Sequence, residues 1–275
     1  MFIHLHTHSH YSLLDGLGTI DGLIAEAKNQ GATALALTDH GSMYGVIEFY
    51  QKCHKAGLKP IIGVESYITP GQLTDRSSKE KPYHLILLAE NNEGYRNLLK
   101  LTSIAHLEGF YYKPRLDWET LKKYSAGLIA STACLNGPLA RHVLARQNDT
   151  AEKNLKTLLD IFGPDRLFIE LQNRRNTDQN IANQGMVALA KKYNVPLIAT
   201  NDIHYVKSTD DQAQDVLLCI QTKQKQSDQN RLSYLGEDFS MFSESMMRDF
   251  FIDTPEVMDN CLKVAERCNV EIELG

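Results

Sequence analysis

Seven short apolar runs punctuate the first ~200 residues. Most are followed by a stretch whose apolar residues recur at three- and four-residue spacing. The runs cover 2–6, 34–38, 60–68, 83–89, 127–131, 167–171 and 196–200. The helical patterns cover 20–30, 44–55, 93–106, 137–146, 150–162 and 180–192, the first opening at Thr19 or Asp21 and stopping at Gly31. Strand and helix in this alternation imply an α/β fold: a parallel sheet, open or closed into a barrel, with helices packed outside it. At 275 residues the chain has a length that suits a barrel. After Asp202 the alternation stops. Residues 210–221, 243–251 and 255–268 read as helices, 222–234 as a polar loop, and 270–275 as a strand-like run that ends as a domain excised from a longer chain would. The expectation is one unit over 1–275, with a barrel core over about 1–206 and a mostly helical extension over about 207–275.

Composition narrows the function. No apolar run approaches the ~18 residues that span a membrane, and there is no signal-peptide pattern. Five cysteines, odd in number and without disulfide or zinc-finger spacing, point to a reducing, cytoplasmic setting. The formal charge of −5 lacks the basic excess usual in nucleic-acid binders, so any DNA contact is local or supplied by a larger assembly. The P-loop, the dinucleotide-binding glycine fingerprint and the serine-hydrolase elbow are all missing.

In parallel β/α folds, ligands sit beyond the carboxyl ends of the strands. His6, His8 and Asp15 follow the first run, and His40, in Thr-Asp-His-Gly, follows the second. Glu65 lies near the end of the third, Cys134 beyond the fifth, and Asp202 and His204 beyond the seventh. Five of seven strands thus deliver His, Asp, Glu or Cys to one rim. His84 does not fit, because it stands at the start of its run. Imidazole with carboxylate suits Zn²⁺, Mn²⁺ or Fe²⁺, and a thiolate tilts the choice toward zinc or iron. His6-x-His8 places two imidazoles on one face of a strand, and Asp202-x-His204 repeats the device.

Plainer readings hold for the remaining candidates. His4 packs inside the barrel and His10 faces solvent, while His54, His106 and His142 fall on helical patterns. Asp39 reads as a turn cap. Lys113 and Arg115, in Tyr-Tyr-Lys-Pro-Arg-Leu, are solvated charges unless the substrate carries phosphate, in which case they become clamps.

Several stretches resemble the polymerase-and-histidinol-phosphatase (PHP) domain, in the branch carried at the amino terminus of bacterial replicative polymerase III alpha subunits. They are His4-Leu-His-Thr-His-Ser-His-Tyr-Ser-Leu-Leu-Asp-Gly16, Leu37-Thr-Asp-His-Gly41, Gly57-Leu-Lys-Pro-Ile-Ile-Gly-Val-Glu65, Thr132-Ala-Cys-Leu-Asn-Gly137 and Ala199-Thr-Asn-Asp-Ile-His-Tyr205. Gly45-Val-Ile-Glu-Phe-Tyr50, His84-Leu-Ile-Leu-Leu-Ala89 and Ala265-Glu-Arg-Cys-Asn269 extend the likeness nearly end to end. The resemblance implies a distorted seven-stranded (β/α)7 barrel and two to three divalent metals, Zn, Mn or Fe. Their ligands would be His6, His8, Asp15, His40, Glu65, His84, Cys134, Asp202 and His204, all present here. It also implies a metal-dependent phosphodiesterase acting as a 3′–5′ proofreading exonuclease, with Asp15, Glu65, Asp202 and His204 in catalytic roles. The implied partners are a DNA 3′ end, the remainder of the polymerase alpha chain and a separate proofreading exonuclease subunit, with no membrane. Two alternatives follow from the same family: a metal-stabilised docking module, and a phosphatase resembling histidinol-phosphatase.

Overall fold

The computed structural model describes residues 2–77, 80–173 and 176–274. Its first helix, α1 (Ile20–Asn29), shows how local chemistry sets an element. Thr19 caps it by accepting from Gly22 N at 3.1 Å, and Ile20, Leu23, Ile24 and Ala27 make one buried stripe at helical spacing. It packs beside α2 (Val46–Ala56) on the outside of a sheet. That sheet contains β1 (Ala34–Leu37), β2 (Lys59–Ile68), β3 (Tyr83–Ala89), β4 (Arg115–Leu116), β5 (Leu128–Ser131), β6 (Leu167–Gln172) and β7 (Leu197–Thr200). Between the later strands lie α3 (Asn92–Leu107), α4 (Trp118–Lys123), α5 (Ala140–Leu144), α6 (Asn148–Phe162) and α7 (Thr177–Tyr193).

The strand order is β1-β2-β3-β5-β6-β7, with β4 added to the end of β2. Residues 4–8 run extended between β1 and the chain beyond β7. On one side Ala36 N donates to His4 O (3.0 Å) and Thr38 N to Thr7 O (2.9 Å). On the other, His8 N donates to Ile203 O (2.7 Å) and Ile203 N to His6 O (3.2 Å). The curled sheet is thereby bridged across its gap. The strand residues that alternate with the inward-facing ones are apolar and fully buried, among them Leu85 and Leu87 on either side of Ile86, and Ile169 next to Glu170.

The α/β barrel architecture agrees with the sequence expectation, and three details differ from it. The run 2–6 is extended but belongs to no ladder among the described residues; its backbone is held by single hydrogen bonds at His4 O and His6 O, next to an isolated bridge at Thr7. The short β4 and α4 carried no period long enough to be read. The sheet is also not wholly parallel, because β3 is antiparallel to both β2 and β5.

In the carboxyl-terminal part, α8 (Asp211–Thr222), α9 (Glu244–Phe250) and α10 (Glu256–Arg267) fall close to the expected helices. α10 lies along β7, where Asn260 Nδ2 donates to Leu197 O at 2.8 Å and Cys261 Sγ to Ala199 O at 3.1 Å. Residues 270–274 pair with no strand; instead Ile272 N donates to the Tyr50 hydroxyl at 3.1 Å. The last residue of that run, Gly275, lies outside the described residues. No helix among the described residues is long and apolar enough to cross a membrane.

Candidate metal centre

The nine side chains singled out above converge at one end of the barrel. His6 and His8 alternate on the extended segment and are fully buried. Asp15 ends a tight loop in which Asp15 N and Gly16 N both donate to Ser12 O at 2.9 Å. The loop closes only with glycine after Asp15, since a Cβ at Gly16 would lie 2.1 Å from Ser9 O. His40 follows β1, and Glu65 points inward from β2. Cys134 stands on the turn after β5, where Ala133 adopts a positive φ of 56°. Asp202, with φ 52°, takes the left-handed conformation that a short polar side chain tolerates, and the turn it makes brings His204 to the same rim. His84 arrives from the opposite direction. Because β3 is antiparallel, its first residues lie level with the last residues of β2, and Tyr67 pairs with His84.

One subset brings two imidazoles and two carboxylates close together. His6 Nε2 and His8 Nε2 are 3.1 Å apart, and each lies 3.1 to 3.4 Å from Glu65 Oε2 and Asp202 Oδ1. Zinc–nitrogen and zinc–oxygen bonds of about 2.0–2.1 Å would separate tetrahedral ligand atoms by about 3.3 Å. Two further groups overlap it. His40, Glu65 and His84 form one, with Cys134 Sγ 3.5 Å from His84 Nδ1; His8, His40 and His204 form the other. Asp15 Oδ2 joins the last at 3.1 Å from both His40 Nε2 and His204 Nε2. Glu65 links the groups, placing Oε1 2.9 Å from His84 Nδ1 and Oε2 2.9 Å from His40 Nδ1. That His40 nitrogen is buried and makes no hydrogen bond despite its carboxylate neighbour.

Electrostatics agree with this geometry. Burial lowers the His40 imidazole, but Glu65 and Asp15 outweigh it and hold its pKa up at about 10. Asp202, Glu170 and Glu65 likewise outweigh burial at His6, and Asp15 and Asp202 do so at His204, so both are raised. Burial pushes Asp15 and Glu65 upward, yet the surrounding imidazoles hold both well below the usual carboxylate range. At His84 burial prevails and lowers it, and at Cys134 burial, followed by Glu65 and Asp202, drives the thiol upward. Such a concentration of opposed groups is what a bound cation relieves, since it takes up the lone pairs and offsets the carboxylate charge.

Two further carboxylates support the cluster, one unread in the sequence and one read there as a turn cap. Glu170 on β6 is buried, and its Oε1 accepts from His6 Nδ1 at 2.7 Å and Thr200 Oγ1 at 2.5 Å. Its Oε2 accepts from Ser131 Oγ at 2.5 Å. A proton held at His6 Nδ1 leaves Nε2 as the face turned to the cluster. The signal was available, because a lone glutamate inside the apolar run Leu-Phe-Ile-Glu-Leu has to be paired if it is buried. Asp39, expected to cap a turn, does more. It accepts from Ser9 N (2.7 Å), Ser9 Oγ (2.9 Å) and Ser12 Oγ (2.7 Å), and Ser12 Oγ stands 3.0 Å from His8 Nδ1.

Outside the cluster, His4 is buried, with Nε2 3.0 Å from Phe242 O, and burial lowers its pKa to about 4. His10 is exposed. Arg115 departs from the clamp expectation. It is buried, donating from Nε to Gly109 O (3.1 Å) and from Nη2 to Leu73 O (3.3 Å), so its guanidinium braces a loop. Lys113 remains exposed beside the cluster, 5.4 Å above the Tyr67 ring.

The PHP domain model matches residues 4–174. The chain is 45% identical to a DNA polymerase III alpha subunit of Borreliella burgdorferi over 98% of its own length and 24% of that protein's. It is 40% identical to the alpha subunit of Thermus aquaticus over 100% of its length and 23% of the relative's. The chain therefore spans about a quarter of these relatives. Among solved structures, a protein assigned as a metal-dependent phosphoesterase from Bifidobacterium adolescentis aligns with a TM-score of 0.50 at 12% identity, covering 91% of this chain and 95% of the other. A Chromobacterium violaceum amidohydrolase also gives 0.50, at 14% identity, over 74% of this chain and 88% of the other. At these identities the likeness is one of fold.

Proposed function

The chain belongs to the PHP domain family, and we propose that it is the PHP portion of a bacterial replicative DNA polymerase alpha subunit that hydrolyses phosphodiester bonds at a DNA 3′ end. The observation that carries this reading is that His6 Nε2 and His8 Nε2 stand 3.1 Å apart and each lies 3.1 to 3.4 Å from Glu65 Oε2 and Asp202 Oδ1. The two overlapping groups support two to three divalent metals, held by these residues with Asp15, His40, His84, Cys134 and His204. Imidazole-rich coordination with one thiol favours zinc, manganese or iron over magnesium or calcium. Bound there, such cations supply Lewis acidity and lower the pKa of coordinated water toward about 7.

The chain's own residues have distinct tasks in this reading. Glu65 spans the groups through both carboxylate oxygens. Glu170 holds a proton at His6 Nδ1, and Ser12, backed by Asp39, steadies His8 Nδ1. Asp15 and His204 face each other across 3.1 Å at the rim. The Lys113 ammonium at the same mouth offsets phosphate charge.

Cleavage of 3′-labelled, mispaired primer–template DNA tests the reading, with Mn²⁺ or Zn²⁺ added and a His8→Ala, Asp202→Ala double variant beside the wild type. Label released by the wild type alone is the expected result. No release from protein carrying two or three metals would refute hydrolysis and favour a docking role for the domain.

A further inference from the structure

Three cavities run into one another from the cluster. The first, ≈ 310 Å³ and lined by Asp15 and His40, shares Tyr67, His84 and Lys113 with a neighbour of ≈ 780 Å³. The second shares Lys81, Asn136 and Arg141 with a third of ≈ 790 Å³. One wall of the second cavity is the turn 109–115, which is held from below. Arg115 Nε bonds to Gly109 O, its guanidinium lies 5.2 Å from the Tyr111 ring, and Tyr111 N donates to Lys113 O at 3.1 Å. Only glycine fits at the base, because a Cβ at Gly109 would meet Arg115 O at 2.0 Å.

This braced turn displays aromatic side chains to solvent. Tyr112 is 84% exposed and Phe110 51%. Tyr112 also holds a φ of 59°, a conformation a bulky side chain adopts only when its surroundings impose it. Its ring stands 4.6 Å from that of Tyr111, at 67°. The Tyr112 face, beside lysines in a cleft continuous with the cluster, matches what unpaired bases need: an aromatic plane for stacking and cations for the backbone. Duplex DNA has its base faces already covered, so the platform favours a single strand or a frayed end. Lys113 and Lys81 are both exposed along the path, which answers the objection raised by the overall charge of −5.

We infer that residues 111–113 form a stacking platform for the unpaired bases of single-stranded DNA, guiding the strand along the Lys81–Lys113 cleft to the cluster. This deepens the phosphodiesterase reading and rests on it for the choice of polymer, but its test is a binding measurement. A 5′-fluorescein oligothymidylate with phosphorothioate linkages, which slow hydrolysis, is titrated with the protein and followed by anisotropy, alone and annealed to its complement. The wild type should bind the single strand more tightly than the duplex. Tyr112→Ala should weaken that binding about 5- to 150-fold, the range base–aromatic stacking supplies. Tyr112→Phe, which keeps the ring, should stay within about twofold. Lys113→Ala should flatten the log–log salt dependence by about 0.7. Since Tyr112 is exposed, both variants should melt with the wild type. Unchanged affinity in Tyr112→Ala, equal affinity for the duplex, or no binding of either DNA overturns the platform. Tyr112-dependent binding in a protein that releases no label from mispaired DNA would overturn hydrolysis alone.

Discussion

Replacing Glu170 by glutamine isolates the support beneath His6. The carboxylate accepts three short hydrogen bonds, from His6 Nδ1, Thr200 Oγ1 and Ser131 Oγ, in a buried pocket. Alanine would strand all three donors at a cost of about 1–3 kcal/mol each, and a loss of folding would obscure the result. Glutamine fits the same space. It can turn its amide nitrogen toward Ser131, whose hydroxyl can accept as well as donate, while its oxygen keeps His6 and Thr200. What disappears is charge. A charge-assisted bond contributes about 1.5–3 kcal/mol and a neutral one about 0.5–1.5, so His6 loses roughly 1–1.5 kcal/mol of support for its Nδ1–H tautomer. Metal affinity should fall about tenfold, at the low end of what such supporting groups usually contribute. Competition with a chromophoric zinc chelator measures the affinity, and a thermal melt of metal-free protein checks the fold. A folded Glu170→Gln variant that binds zinc as tightly as the wild type would refute the argument.

Three further outcomes follow. His40 has a pKa held up at about 10, and those of His6 and His204 are raised in the same direction, so protons compete with a cation for these nitrogens. Metal affinity should therefore rise with pH, with at least one proton released near pH 7; calorimetry in buffers of different ionisation enthalpy that finds no release would exclude this. Burial lowers the His4 pKa to about 4, below its unfolded value of 6.5, so the unfolded chain binds the extra proton between these limits. The stability this group contributes is complete above pH 6.5 and is lost as pH falls toward 4, about 3 kcal/mol in all. Denaturant titrations of the metal-free protein should show that slope, reduced by about one proton in His4→Gln. Gly16→Ala should destabilise by about 1–3 kcal/mol and loosen Asp15, because its Cβ would sit 2.1 Å from Ser9 O and the loop has to move; an unchanged melting temperature and metal affinity would contradict the described loop.

The barrel was largely legible because its signal is local. The apolar runs at 34–38, 60–68 and 83–89 lie within a residue or two of β1, β2 and β3, and α1 is marked by Thr19 and its buried stripe. Short elements escaped, since the two residues of β4 hold no period and acquire strand geometry only by pairing with Tyr67 and Ile68. Arg115 shows the limit for single side chains. Beside Lys113 in a polar stretch it reads as a surface charge, but it is buried against the carbonyls of Gly109 and Leu73, contacts that sequence spacing does not encode.

Residue type and order by themselves determined which donors this protein owns, that His6 and His8 share a face, and that most of the donors follow strand ends. Strand direction was decided only in three dimensions. The run 83–89 reads the same whether it lies parallel or antiparallel to its neighbours, because a two-residue period has no polarity. Once β3 is antiparallel, the start of its strand lies at the rim where β2 ends, and His84 joins the cluster instead of sitting at the far end of the barrel. Glu170 likewise belongs to the site through a 2.7 Å contact with His6, 164 residues away in sequence. Local pattern specifies the elements, while the packing that buries their faces selects which distant side chains meet.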